Sequence, residues 1–133
     1  MSRRTSIYLD GFAHKNPVPA ACLIENHLTS GVLTGRDPET GEMPLDLDAQ
    51  VRNVFAHVRE LMRVAGGSTA DIAKITVYLS DYRDREALNR EWLEMFPDAN
   101  DRPTRQVMHA NFDGDTQVQA DLVAVLALAA KGQ

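Results

Sequence analysis

Residues 46–80 decide the fold, and their sequence is DLDAQVRNVFAHVRELMRVAGGSTADIAKITVYLS. In the first half, apolar side chains recur at steps of three and four, which places them on one stripe of an α-helix. Asp46 or Asp48 is the expected N-cap, and Gly66-Gly67 is the expected stop. Beyond the glycines, apolar residues alternate with polar ones over 72–80, a pattern that is typical of a β-strand.

The flanking sequence predicts a second helix and further strands. Apolar residues share one helical face within 84–96, with Asp84 as the expected N-cap and Pro97 at the end. Strands are expected at 7–9, 20–24, 28–33, 104–110 and 118–128, the last two joined as a hairpin by turn formers at 111–116. The order β-β-β-α-β-α-β-β predicts an α+β fold, one mixed sheet with both helices on one face. The other face then needs a cover, often another subunit.

Length and composition set the class of protein. A chain of 133 residues is the size of one domain, so we expect a single domain over 1–133. The sequence has no apolar run long enough for a transmembrane helix and no apolar stretch of the kind that a secretory signal needs. The net charge of -5, without a basic cluster, argues against nucleic-acid binding. A single cysteine rules out an intrachain disulfide and fits a cytoplasmic location.

Motifs with a catalytic spacing are scarce. The histidines (His14, His27, His57 and His109) lack the pair spacing of metal ligands, so no metal site is expected. Cys22 lies in the apolar stretch Ala-Ala-Cys-Leu-Ile, which indicates a buried, inert thiol rather than a nucleophile. The sequence contains no GxSxG, phosphate-loop or dinucleotide motif.

Two places carry polar residues that suit a binding site. Arg105 follows Pro103 at the start of a predicted strand, so its guanidinium is either a rigid grip for a carboxylate or an ordinary surface charge. Gln119 and Asp121 share one face of the last strand opposite apolar residues, so they are site candidates or a solvated edge. His109 lies on the face of Arg105, about 13 Å along the strand, which fits the opposite ends of a cleft.

Several stretches occur in an order and spacing typical of one known family. They are Leu28-Thr-Ser-Gly31, Asp37-Pro-Glu-Thr-Gly-Glu42, the helix from Asp48 to Gly67, Asp71 to Leu79, Leu88-Asn89 with Phe96, Arg102-Pro-Thr-Arg105, and the strand Ala-Asp-Leu-Val-Ala-Val. On these residues the chain, from about Asn16 to Leu126, resembles the reactive intermediate deaminase (Rid or YjgF) family.

The resemblance implies a fold, an assembly and an activity. The fold is chorismate-mutase-like (the YjgF fold), in homotrimers whose sheets pack around the three-fold axis, with active clefts between neighbouring subunits. The activity is cofactor-independent hydrolysis of enamines and imines, such as 2-aminoacrylate, to a 2-keto acid and ammonia. The partners are a small carboxylate substrate and further copies of the chain.

The resemblance also assigns roles to residues. Arg105 would hold the substrate carboxylate, and Ser30 with Gly31 would form a pocket wall where a hydroxyl and backbone contact the substrate. The family glutamate that positions and activates water aligns with Gln119, which can orient water but cannot accept a proton at neutral pH.

Four explanations for the missing glutamate stay open. Gln119 orients water without taking a proton; Asp121 takes over as the base; or His109 or His14 enters the cleft as the base, since histidine titrates in the useful range. The fourth is that the protein has left deaminase chemistry and binds a carboxylate ligand without turnover.

Further departures lie in the pocket wall. A family aromatic residue corresponds to Pro17, the small residue after the arginine to Gln106, and the cysteine two residues after the arginine to Val107. These changes favour an alternative substrate, a larger unsaturated amino acid deaminated in a catabolic pathway.

Overall fold

The computed structural model describes residues 3–9 and 16–127. These residues form an α+β fold of two helices and seven strands, in an order that matches the sequence prediction apart from one additional short strand. The elements are β1 Arg4–Ile7, β2 Ala21–Ile24, β3 His27–Ser30, β4 Leu33–Thr34, α1 Leu47–Val64, β5 Ile72–Leu79, α2 Glu86–Met95, β6 Thr104–His109 and β7 Val118–Val125. A short 3-10 turn, Thr69–Asp71, leads into β5.

The strands form one mixed sheet in the order β1-β2-β3-β7-β5-β6, and β4 also pairs with β7. The β5–β6 pair is parallel and the other pairs are antiparallel. Side chains of β7 alternate between buried and accessible positions, so each strand has a face toward the helices and an open face. The core lies between the sheet and the two helices, as the alternation and the helical stripe predict.

Helix α1 begins and ends where its sequence predicts. Asp46 is the N-cap, and its carboxylate accepts a hydrogen bond of 3.3 Å from the Asp48 amide. Gly66 ends the helix in the left-handed region, with φ of 85°, which glycine adopts at little cost. The amide of Gly67 then donates to the Met62 carbonyl at 2.9 Å, which satisfies one of the last helical acceptors.

The prediction that the strands at 104–110 and 118–128 form a hairpin is wrong, because β6 and β7 are not neighbours in the sheet. Strand β5 lies between β6 and β7, pairing in parallel with the first and antiparallel with the second. The turn residues after β6 instead pass across the end of β5, where the Ala110 amide donates to the Leu79 carbonyl and the Ser80 amide to the Gln117 carbonyl. The physical reason is burial: the alternating apolar residues of β5 suit a central strand, whereas β6 is mostly accessible and forms an edge.

Smaller differences concern helix α2, the front strands and the cysteine. The prediction that Asp84 caps α2 is wrong. The helix begins at Glu86, and its N-cap is Arg85, whose side chain makes no capping hydrogen bond. The strand expected over 28–33 splits into β3 and β4, because the Leu122 amide of β7 donates to the Ser30 hydroxyl and the Gly31 amide donates to the Ala20 carbonyl. Cys22 is half-buried rather than buried, since it lies on the open face.

One fully buried polar side chain, Gln50, ties α1 to two loops. Its exposed fraction is 0%. Its amide nitrogen donates to the Pro44 carbonyl at 2.7 Å and to the Asp115 carbonyl at 2.8 Å, and its oxygen accepts from the Gln117 amide at 2.8 Å. These bonds satisfy the buried amide and hold the connection between β6 and β7 against the helix.

The open face of the sheet carries four exposed apolar side chains from three strands, namely Ile24 of β2, Met108 of β6, and Val123 and Val125 of β7. The structure therefore has the uncovered sheet face that the element order predicts. None of the helices in the described ranges is both long and apolar enough to cross a membrane.

Candidate functional site

The candidate site lies along edge strand β6. Every second residue of β6 is in register with a residue of β5 that is buried toward the helices. The pairs are Arg105 with Ile75, Val107 with Val77, and His109 with Leu79. All three β6 side chains therefore point to the helix side of the sheet, where α2 packs. The prediction that Arg105 and His109 share a strand face is confirmed.

Arg105 lies against the single tryptophan of the chain. Its guanidinium carbon is 5.0 Å from the centroid of the Trp92 ring, within the range of a cation–π contact. Trp92 belongs to α2, is 9% exposed, and packs on Phe96 with ring centroids 4.8 Å apart. The arginine is thereby held by a rigid aromatic platform, and Nη1 of its guanidinium is buried without a hydrogen-bond partner among the described residues.

The electrostatic surroundings of Arg105 are positive. Burial, followed by the nearby charge of Arg85, lowers the pKa of Arg105 from its ordinary value. Arginine remains protonated in proteins, so the site holds a desolvated cation close to a second cation. A bound anion would supply both the missing hydrogen-bond acceptor and the missing counter-charge.

The other end of β6 carries His109, which is exposed and contacts Tyr82 with ring centroids 6.0 Å apart. Val107, between the two polar residues, is half-buried and packs against the core. The helix-side surface of β6 thus has a cationic end, an apolar middle and an imidazole end.

Ser30 and Gly31 lie elsewhere in the chain and are already hydrogen-bonded. The Ser30 hydroxyl donates to the Gly31 carbonyl and accepts from the Leu122 amide, both at 2.8 Å. The Gly31 amide donates to the Ala20 carbonyl at 2.8 Å. Because β7 and β5 separate β3 from β6, Ser30 is about 14 Å from Arg105 by strand spacing. One chain therefore does not bring them together, and their role toward a ligand stays a prediction.

Gln119 and Asp121 lie on the open face, as their spacing predicts. Gln119 is in register with Tyr78 of β5. The Asp121 carboxylate raises the pKa of the Tyr78 phenol, chiefly through its charge and with contributions from burial and a hydrogen bond. Since Arg105 points to the helix side, Gln119 and Arg105 lie on opposite faces of the sheet.

Two further predictions concern His14 and metal binding. His14 lies outside the described residues. Among 3–9 and 16–127, no three side chains of His, Cys, Asp or Glu come together in a way that could hold a metal ion.

The sequence profile of the family described as Endoribonuclease L-PSP (Ribonuc_L-PSP) matches residues 12–126. The chain belongs to this family. It is the Rid/YjgF family that the sequence resembles, as relatives and solved structures also indicate.

Three relatives illustrate the range of the family. A RutC family protein of Haemophilus influenzae is 35% identical over 74% of this chain and 77% of its own length. The 2-iminobutanoate/2-iminopropanoate deaminase of Escherichia coli is 31% identical over 74% of this chain and 77% of its own length. The crystal structure of the YjgF gene product from E. coli has a TM-score of 0.81, with 25% identity, covering 91% of this chain and 98% of that chain. The chain therefore has the α+β YjgF fold, and the family to which it belongs includes deaminases.

Sequence reasoning missed Trp92, Arg85 and Tyr78 as neighbours of the site residues. Trp92 was expected only to belong to the apolar face of a helix, which it also does. Its contact with Arg105 depends on the way that α2, which connects β5 to β6, packs against the sheet. The spacing of residues in the sequence does not predict this packing.

Proposed function

We propose that this Rid family member is a cofactor-independent hydrolytic deaminase that converts enamine or imine carboxylates of the 2-aminoacrylate kind to 2-keto acids and ammonia. The observation that carries the proposal is the buried Arg105 Nη1, which lacks a partner among the described residues. A carboxylate matches the planar donors of a guanidinium and neutralises its charge. The E. coli relative is named for the deamination of two imino acids of this class.

The reaction requires the protein only to orient the substrate and a water molecule and to transfer protons. An enamine tautomerises to an imine, and protonation of the nitrogen makes the imine carbon electrophilic. Water adds to that carbon, and the carbinolamine then loses its C–N bond, so that ammonia leaves and the water oxygen remains as the keto oxygen. Fixing the carboxylate on Arg105 presents the imine carbon to one positioned water, which is the main contribution a site can make to such a reactive substrate.

Arg105 and Gln119 have separate roles in this proposal. Arg105 binds the carboxylate, and Val107 next to it on β6 provides an apolar wall for the carbon chain. Gln119 accepts a hydrogen bond from the attacking water and aims its lone pair at the imine carbon. Since an amide cannot take the proton, the base is His109, Asp121 or His14, or the substrate nitrogen receives the proton through water.

The assembly we propose is a homotrimer with clefts between subunits. The apolar side chains on the open face need a cover, and other copies of the chain can supply one. Arg105 faces the helix side and Gln119 the open side, so a cleft that contains both takes them from two copies. Ser30 and Gly31 would reach the ligand in the same way; the Ser30 oxygen keeps one lone pair as an acceptor.

The test is an assay in which a dehydratase generates 2-aminoacrylate and the protein shortens its lifetime. Arg105→Ala should lower kcat/KM by roughly a hundredfold or more, because charge-assisted hydrogen bonds to the carboxylate are lost. Arg105→Lys keeps the charge but loses the two parallel donors of the guanidinium, so its kcat/KM should lie between those of the wild type and Arg105→Ala. Arg83→Ala, which removes an exposed arginine paired with Asp81 at 3.4 Å, is the matched control and should keep the wild-type rate. A wild-type protein without effect on 2-aminoacrylate and on larger imino acids would refute the enzyme proposal.

A second candidate function is a carboxylate-binding trimer without turnover. In its favour is the resemblance, which aligns Gln119 with the family glutamate that accepts a proton, whereas an amide cannot do so. Calorimetric binding of a keto acid without imine hydrolysis, together with turnover in Gln119→Glu, would support this candidate. Activity restricted to a larger unsaturated amino acid would instead support the catabolic alternative that Pro17 and Val107 suggest.

A further inference from the structure

The seam between α2 and β6 carries more than one cation. Strands β5 and β6 are parallel, so α2, which connects them, runs back antiparallel to β6. Trp92 of α2 contacts Arg105 at the start of β6, and Tyr82, just before α2, contacts His109 at its end. Arg85 is seven residues before Trp92, about 10 Å back along the helix, which places it level with the second half of β6.

Among the described residues, Arg85 and Arg105 have no acidic partner, in contrast to Arg83 and Arg90 on the same stretch of chain. Arg83 lies 3.4 Å from Asp81, and Arg90 lies 3.4 Å from Asp48. In the described part of the chain, neither Arg85 nor Arg105 has a carboxylate within 4.0 Å.

The Arg85 side chain is nevertheless positioned. Its Nε donates to the Tyr82 carbonyl at 2.9 Å, which fixes the guanidinium over the loop and leaves both terminal nitrogens for another acceptor. Its charge is felt at Arg105, where it adds to the effect of burial. The two guanidiniums thus form a doubly positive pair with donors that no described residue uses.

We propose that Arg85 binds a second acidic group of the substrate, so that the preferred substrate is an imine or enamine with two carboxylates. This inference rests on the proposed function and refines its substrate class. One carboxylate on Arg105 leaves one cation uncompensated, whereas a dicarboxylate balances both charges and uses both sets of donors. The reaction itself is unchanged: water adds to the imine carbon, the C–N bond breaks, and ammonia leaves a dicarboxylic 2-keto acid.

The test uses Trp92 as a built-in probe, because it is the only tryptophan and it contacts Arg105. Tryptophan fluorescence is titrated with 2-oxopentanoate and with 2-oxoglutarate, which have five carbons each and differ in the second carboxylate. The wild-type protein should bind 2-oxoglutarate at least about tenfold more tightly. In Arg85→Gln, which loses the charge but keeps a donor for the Tyr82 carbonyl, the preference should fall below about twofold. Arg83→Gln is the matched control and should keep the wild-type preference.

A parallel measurement uses imines that an amino acid oxidase generates from alanine and from glutamate. Arg85→Gln should lower kcat/KM for the glutamate-derived imine about tenfold and for the alanine-derived imine by less than about threefold. Equal wild-type affinities for the two keto acids, or equal losses for both in Arg85→Gln, would overturn the inference and leave the proposed function standing. If neither keto acid changes the Trp92 signal and neither imine is hydrolysed, the proposed function itself fails.

Discussion

Arg105 and Gln119 project from opposite faces of the same sheet. Arg105 is in register with buried Ile75, and Gln119 with Tyr78 on the open face, three positions further along the same strand. Strand geometry fixes this relationship, since side chains three positions apart on a strand must point to opposite sides. A site that uses both residues therefore depends on association between copies of the chain.

Mixing two inactive variants should restore activity. Arg105→Ala and Gln119→Ala chains each lack one half of the site, so each variant alone should keep less than about a tenth of the wild-type rate. After both are unfolded together and refolded in equal amounts, about one quarter of the interfaces will combine an intact Arg105 with an intact Gln119. The measurement is imine hydrolysis by the mixture, with the two variants refolded separately as the control. A mixture no more active than its components would contradict a shared cleft.

Alkaline titration should reveal the contact between Tyr78 and Asp121. The carboxylate raises the pKa of Tyr78, so replacing it in Asp121→Asn should lower that pKa toward the ordinary value of about 10. Because the folded-state pKa is raised, the contact stabilises the fold below about pH 10, and this stability is lost as the pH rises through the raised pKa. Phenolate absorbance measures the change, and Tyr78→Phe assigns the signal. Identical titration curves for wild type and Asp121→Asn would exclude the contact.

The buried amide of Gln50 should be essential for stability. Gln50→Leu keeps the approximate volume but leaves the Pro44, Asp115 and Gln117 backbone groups without their partner. We expect the free energy of unfolding to fall by about 2–5 kcal/mol, since buried unsatisfied groups cost about 1–3 kcal/mol each. The matched control is Gln117→Leu, whose accessible side chain donates one bond to Leu45 and should cost less than about 1 kcal/mol. Denaturant unfolding measures both variants, and similar losses in the two would contradict the argument.

Gly35 should tolerate no side chain. A Cβ at this position would lie 2.7 Å from the Gln50 Cβ and 2.9 Å from its Cα, so helix α1 would have to move. Gly35→Ala should therefore destabilise the protein by about 1–3 kcal/mol. At Gly31 the nearest atom would be the Ala20 carbonyl oxygen at 3.6 Å, so Gly31→Ala should change stability by less than about 1 kcal/mol. Thermal unfolding of the pair tests the difference, and equal melting temperatures would refute it.

The local features of the fold were predictable because their causes are local. The stripe of α1, its Asp46 cap and its glycine stop depend on residues within a few positions of one another. The same holds for the two faces of β7, which follow from a period of two. The family resemblance added the assignment of Arg105, whose orphaned nitrogen now supports that assignment physically.

The predictions that were wrong concern structure that depends on residues distant in sequence. Turn formers at 111–116 indicated a hairpin, but β5, whose alternating apolar residues are buried, lies between the two strands and pairs with both. Asp84 is a good capping residue by type, yet its amide donates to the Asp81 carbonyl in a turn that precedes the helix. Neither the Arg105–Trp92 contact nor the influence of Arg85 has a sequence signal, because both arise where α2 packs back onto β6.

The buried Gln50 amide has an evolutionary consequence. It anchors the segment that precedes β7 from within the core, and none of its three partner groups belongs to β6 or β7, the strands that carry Arg105 and Gln119. Mutations on the side chains of β6 and β7 can therefore accumulate while the buried contact that holds the preceding backbone is inherited intact. Gln119, which the resemblance aligns with a family glutamate, lies on a strand where this separation leaves side chains open to such changes.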